Sequence, residues 1–218
     1  MNDNSKLYKI RYRDISLERK NLAWKIVCEK IYQKYINSND TVLDVASGHG
    51  EFINNIHSKC KMALDLNPDA ALFLDKNIVF HNINAFEIKN KFKNLDVILV
   101  SNFLEHLADK KELDNFLHLA FEALNPGGRM LIVGPNLRYL PGKYWDYYDH
   151  NVGLTHFSLM EALELTGFKI SKCIDRFLPH LDRGSKMKTP LFFIRLYLLF
   201  PFMWRFMGAD FFIVANKP

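Results

Sequence analysis

Short apolar runs alternate with helical patterns along most of this chain, and that alternation restricts the folds open to it. "TVLDVA", "MALDL", "IVFHNI", "LDVILVSN" and "RMLIVGPN" read as buried strands. "KISKCIDRF" reads as a sixth strand and "DFFIVANKP" as a seventh. Between them lie helix-forming stretches such as "LDNFLHLAFEAL", stopped by Asn125-Pro126-Gly127-Gly128, and "SLMEALELTGF", ending at Gly167. Ahead of them, "NLAWKIVCEKIYQKYI" spaces Leu22, Trp24, Ile26, Val27, Ile31 and Ile36 as a helix does. Strands with little polar alternation, separated by helices, predict a doubly wound, mainly parallel sheet. Ligands of such sheets bind at the carboxyl ends of the strands, where the strand order reverses.

With 218 residues, 49% of them apolar, the chain can bury a large core, and no repeat or low-complexity linker divides it. A single domain is therefore expected over 1–218. A net charge of +5 permits an acidic partner, membrane surface or nucleic acid, without requiring one. The three cysteines, Cys28, Cys60 and Cys173, lack metal-ligand spacing, so no metal is expected and a reducing compartment fits. "MNDNSKLYK" carries no apolar signal region, which makes a cytoplasmic location the expectation.

Within "VLDVASGHGEF", Gly48 and Gly50 follow a strand and are expected to open a helix, allowing a tight turn and close backbone approach to a ligand. A dinucleotide fingerprint needs a third small residue where Ile53 stands, so a nucleoside without a pyrophosphate fits better than NAD. An ordinary strand-to-helix turn remains the plain alternative. Asp65, in "LDLNPD", ends the second strand, where a carboxylate can accept both ribose hydroxyls; otherwise it is a solvated turn residue. Asp44 lies within an apolar run and needs donors, from a ligand ammonium or from loop amides.

"VLDVASGHGEF", "ALDLNPD", "INAFEI", "LDVILVSNFLEHL" and "ALNPGGRMLIVGPN", in this order from about Thr41 to Asn136, resemble the class I S-adenosylmethionine-dependent methyltransferases. "DHNVGLTHFSLMEALELTGFKI" extends the likeness to about residue 175. Within that group the chain is similar to bacterial members of the methyltransferase-12 type, some of which sit near surface-glycan genes. The resemblance implies a Rossmann-like, doubly wound sheet of seven strands, mostly parallel with the last antiparallel, and helices on both faces. It implies an N-terminal helical cap over 1–40, a cofactor-binding core over 41–136 and an acceptor-side region over 137–218 with an apolar insertion at 189–207. S-adenosylmethionine is the implied cofactor. The loop from Ala46 through Gly48 to Gly50 would hold its methionine moiety, with Asp44 near the ammonium. Asp65 would take the ribose hydroxyls and Leu66 would flank the adenine. Asn84, followed by Ala85, stands where the family usually places an Asp that meets the adenine amino group. Ser101, Asn102 and Phe103 would lie beside the sulfonium methyl, with Glu105 and His106 opening the next segment.

The loop "PGKYWDYYDHN", Pro141 to Asn151, follows the fifth strand and so lies over the same edge. Tyr144, Trp145 and Asp146 are candidate acceptor contacts, although the rings can equally pack the loop down. A hydroxyl or ammonium acceptor needs a base. His150 is favoured over His106, with the adjacent Asp149 as the residue that orients it. His156 reads as a capping neighbour and His49 as a loop residue. The expected reaction is methyl transfer to oxygen or nitrogen of a small or a glycan- or lipid-linked acceptor. The alternatives are RNA or protein methylation and a non-catalytic cofactor-binding scaffold. Amino-directed DNA methylation is disfavoured, because "SNFL" stands in place of the D/N-P-P-aromatic motif. "TPLFFIRLYLLFPFMWRFMG" is apolar but broken by Arg195 and Pro201, so it should not span a membrane. It could instead lie in an anionic interface, aided by Arg183, Lys186 and Lys188, pack over the sheet, or form a dimer contact.

Overall fold

The computed structural model describes residues 16–179 and 190–218. Arg183, Lys186 and Lys188 lie outside them.

Helix α1, Leu17–Lys30, is capped by Ser16, whose side chain accepts from the Arg19 amide. The helical pattern over "IYQKYI" continues only as a 3-10 turn, Tyr32–Tyr35. The sheet then begins: β1 is Thr41–Val45, β2 Cys60–Leu64 and β3 Ile78–His81. After the one-turn helix α2, Ile88–Lys91, comes β4, Leu95–Ser101. Helix α3, Lys110–Ala123, is capped by Asp109 and leads directly into β5, Leu124–Pro135. The Asn-Pro-Gly-Gly stretch therefore belongs to the strand, where Gly127 and Gly128 exchange backbone bonds with Lys217. Helix α4, His156–Thr166, closes on Gly167 at φ 110°, a left-handed cap that suits glycine. Then follow β6, Lys169–Ile174; helix α5, Leu191–Leu199; helix α6, Trp204–Met207; and β7, Asp210–Asn216.

Sheet order is β3-β2-β1-β4-β5-β7-β6. Strands β1 to β5 pair in parallel, and β7 runs antiparallel between β5 and β6. The last strand is antiparallel, and it sits inside the sheet rather than at its edge. Alternate residues of the strands bury against two separate layers. Leu43, Ile98, Ile132 and Ile213 join the core under α3 and α4. Val42, Leu99, Leu131 and Phe212 join the core that holds α1 residues, Tyr197 and Trp204. Burial on both faces is why these strands read as unbroken apolar runs. The chain leaves β1 toward β2 and β3, then returns to β4 on the other side. The reversal of order therefore lies between β1 and β4, and their carboxyl ends border the crevice.

The segment after β6 is divided in its loyalties. Tyr197, Leu198 and Trp204 are buried, with the Tyr197 hydroxyl donating to the Phe177 carbonyl at 2.6 Å. Phe192, Phe193, Leu199, Phe200, Phe202, Phe206 and Met207 are exposed. Part of it packs over the sheet, and part faces outward. Among the described residues no helix is long and apolar enough to cross a membrane.

Candidate active site at the carboxyl edge

The loop leaving β1 has three left-handed residues, Ala46 at φ 55°, Gly48 at 54° and Gly50 at 70°. A Cβ on Gly50 would lie 2.5 Å from the Leu74 side chain, which with the positive φ favours glycine there. The expected helix beyond the loop is a single 3-10 turn, Ile53–Asn55. Asn54 ties that turn sideways, donating to the Phe73 carbonyl at 2.8 Å and accepting from the Asp75 amide at 3.0 Å.

Three carboxylates surround this loop. Asp65 is buried rather than a solvated turn residue: it accepts from the Gly48 amide and from the Asn67 amide, each at 2.8 Å. Burial raises its pKa, against those amide bonds. Asp44 is 3% exposed, and its carboxyl is pushed well up by burial and by the charges of Glu51 and Asp65, while the Ile53 amide opposes. A loop amide thus supplies one of the donors it needs. Glu51, which sequence reasoning passed over, behaves oppositely. Burial would raise it, but the nearby His49 ring and the charge of Lys20 hold it at about 2. Lys20 Nζ lies 2.6 Å from Glu51 Oε1, fastening α1 to the loop. The Ser47 hydroxyl is buried in the same loop without a protein hydrogen-bond partner among the described residues. These features suit S-adenosylmethionine: acids for its ammonium and ribose hydroxyls, and a polar atom left for its carboxylate.

Leu66, just after β2, is 56% exposed. Asn84 caps the turn Ala85–Glu87, accepting from the Phe86 amide at 3.0 Å while Glu87 accepts from its own amide. Its side-chain oxygen therefore already serves the backbone, and Ala85 is buried beneath it. Ser101 ends β4. Asn102 adopts φ 49°, its side chain donating to the Ser101 hydroxyl at 3.2 Å.

The turn Leu104–His106 then meets the Pro141–Asn151 loop. The Glu105 carbonyl accepts from the amides of Asn151, at 2.8 Å, and Val152, at 3.1 Å. Two expectations about this loop are corrected. Tyr144 is fully buried: its hydroxyl donates to the Val152 carbonyl at 2.5 Å and accepts from the Leu154 amide at 3.2 Å. It anchors the loop; Trp145, Asp146 and Tyr148 are among the loop's exposed members. Asp149, expected to orient His150, meets His106. His106 Nδ1 lies 3.2 Å from Asp149 Oδ2 and 3.0 Å from its carbonyl oxygen. Both partners accept, so Nδ1 carries the proton and Nε2 is left facing Glu105, 3.9 Å from Oε1. His150 is 9% exposed, stacked on Tyr147 at 4.8 Å and set edge-on to His106 at 5.0 Å. His156 heads α4 beside its cap Thr155 and meets the Asn136 side chain at 2.9 Å. A cleft of about 530 Å³ opens farther along the edge, lined by Tyr139, Asp175, Arg176, Phe202, Arg205 and Phe206.

No protein of curated function matches the chain. Among solved structures, a S-adenosylmethionine-dependent methyltransferase from Archaeoglobus fulgidus is 24% identical with a TM-score of 0.68, over 99% of this chain and 100% of that one. A S-adenosylmethionine-dependent methyltransferase from Thermotoga maritima is 16% identical with a TM-score of 0.63, over 92% and 94%. The plantazolicin methyltransferase BamL, solved with S-adenosylhomocysteine, is 16% identical with a TM-score of 0.61, over 99% and 91%. At these identities the likenesses establish the fold. The type-23 model of the methyltransferase domain matches residues 18–171, which takes in α1, the glycine loop and the Glu105–His150 junction. The chain belongs to this methyltransferase family and is a S-adenosylmethionine-dependent methyltransferase.

Proposed function

We propose that the protein methylates an oxygen or nitrogen of a glycan- or lipid-linked acceptor, with the Glu105, His106, Asp149 and His150 cluster taking the acceptor's proton. The observation that carries this reading is the contact of Asp149 with His106, which fixes the orientation of one imidazole at the carboxyl edge. The acceptor oxygen or nitrogen forms the new bond to the methyl carbon. The C–S bond breaks, its electron pair stays on sulfur as S-adenosylhomocysteine, and the acceptor proton passes to the cluster. Asp44, Ala46, Gly48, Gly50, Asp65, Leu66, Ser101 and Asn102 hold the cofactor in this reading, with Asn84 and Ala85 bordering its adenine. Trp145 and Asp146 contact the acceptor. Residues 1–218 act as one catalytic unit, in which 1–40 cap, 41–136 hold the cofactor and 137–218 shape the acceptor side.

A membrane-surface acceptor is favoured by a second observation. The exposed rings Phe192, Phe193, Phe202 and Phe206 are interspersed with the exposed Arg195 and Arg205. That combination suits a cytoplasmic, anionic lipid face. Arg176 and Arg205 in the adjoining cleft fit a phosphate or carboxylate on such an acceptor.

The test is to incubate the protein with methyl-labelled cofactor and separated glycolipid, free-glycan, RNA and protein fractions. Label should enter glycolipid or glycan. His106→Ala should lower turnover by about 100-fold or more, with S-adenosylhomocysteine affinity unchanged. Label in RNA or protein alone, or full turnover by His106→Ala, overturns the reading.

A further inference from the structure

We infer that Glu105, His106 and His150 form a binding site for one divalent transition-metal ion, of which zinc is the best match. The inference deepens the reading of this cluster as the proton-handling side of the active site.

One ligand atom from each of the three residues lies within 4.8 Å of the other two. The set is two imidazoles and one carboxylate, the combination that holds catalytic zinc with a fourth position open. The argument rests on which atoms converge. His106 Nδ1 faces two acceptors on Asp149, so its proton is committed there. The nitrogen directed at Glu105 is Nε2, which in the neutral ring has only a lone pair to offer. Nε2 and Oε1 are then two acceptors at 3.9 Å, on a turn where Glu105 is 3% exposed, with the His150 ring beside them. Two imidazoles and a carboxylate with ligand atoms this close together form a site that a divalent cation can enter.

The surroundings have the character of a metal centre. A metal-bound histidine usually gives its other N–H to a carboxylate or carbonyl, and Asp149 supplies both to His106. The His150 ring is held from two sides, stacked on Tyr147 and meeting the edge of Tyr144 at 5.0 Å. With metal–ligand bonds of about 2.0–2.2 Å, neighbouring ligand atoms in a tetrahedral site stand roughly 3.3–3.6 Å apart. The observed separations close to that by side-chain rotations of about an ångström. The bound ion would take an acceptor hydroxyl in its open position and lower its pKa. With the ion bound, His106 and His150 are ligands and not the base, so the proton path proposed above changes: the acceptor proton would pass to water, leaving the oxygen charged for attack on the methyl carbon.

The experiment is calorimetric titration of metal-stripped full-length protein with Zn2+ and with Co2+, the latter followed by its visible absorption. We expect one ion per chain and the absorption of a four-coordinate cobalt site. His106→Ala, His150→Ala and Glu105→Gln should each weaken uptake by at least about tenfold, and Asp149→Asn by about 10–100-fold. His118→Ala, on the exposed face of α3, should change nothing. S-adenosylhomocysteine titration of each variant reports whether the cofactor side is intact; for a variant that fails to fold, the Gln form at His106 or His150 replaces it. The absence of stoichiometric uptake, or uptake indifferent to all three ligand variants, overturns the site. That outcome leaves methyl transfer standing, because label transfer in the presence of chelator tests it separately.

Discussion

Substituting Glu51 by Gln isolates the contact that joins the N-terminal helix to the glycine loop. Glu51 and Lys20 are each only 13% exposed in their side chains, and their charged atoms lie 2.6 Å apart. The folded protein holds the Glu51 carboxyl at about 2, from an ordinary 4.5. The difference of about 2.5, at 1.36 kcal/mol for each tenfold, is worth about 3 kcal/mol as a ceiling. Because the folded value is depressed, this stability is fully present above pH 4.5 and is lost as pH falls toward 2. Glu51→Gln should therefore cost about 2–3 kcal/mol at pH 7. Urea unfolding of wild type and variant from pH 7 to pH 2 is the assay. Other carboxylates titrate in both proteins, so the quantity of interest is the difference between the two curves. That difference should shrink steadily below pH 4.5 and vanish near pH 2. Curves that stay parallel over this range would refute the reasoning, because the stabilisation would then not be Glu51's charge. Lys20→Met and Glu51→Gln should cost less together than the sum of the two single changes, since both break the same pair.

Asp65→Ala should weaken S-adenosylhomocysteine binding by about 1–3 kcal/mol, because it removes a charged acceptor and strands the Gly48 amide; unchanged affinity in calorimetry would remove Asp65 from the site. Phe202→Glu with Phe206→Glu should abolish sedimentation with anionic liposomes at low salt while leaving the fold intact, since the two side chains are 63% and 77% exposed. Leu198→Glu should instead unfold the protein, because Leu198 is buried in the core; a soluble, folded Leu198→Glu protein would show that the segment does not pack as described.

The cofactor side was legible because its signals are local. A parallel strand buried on both faces must be apolar throughout, and the residue after it must turn sharply, so "TVLDVA" followed by Gly48 and Gly50 shows in the sequence what the backbone does. The seventh strand was legible as a strand but not as a neighbour. Its place between β5 and β6 comes from pairings such as Met130 with Ala215 and Ile170 with Ala215, far apart in sequence. The missing helix after the glycine loop has the same cause. Asn54 bonds to residues 73 and 75, and the Asn55 side chain donates to Asn21 at 2.6 Å, so distant partners outweigh local propensity.

The acceptor side was misread where sequence neighbours part company in space. In the Pro141–Asn151 loop, Tyr144 and Trp145 are adjacent, yet one is fully buried and the other is 49% exposed. The first is taken inward by its bonds to Val152 and Leu154, which composition alone does not reveal. Asp149 and His150 are adjacent too, and adjacency suggested that one orients the other. The folded loop turns Asp149 onto His106, which is 43 positions away, because the Glu105 carbonyl binds the Asn151 and Val152 amides and pulls the two segments together. That backbone junction makes one cluster of two histidines that the sequence presented as rivals. Their ligand atoms converge with that of Glu105, so the two histidines act as parts of one site and not as alternatives.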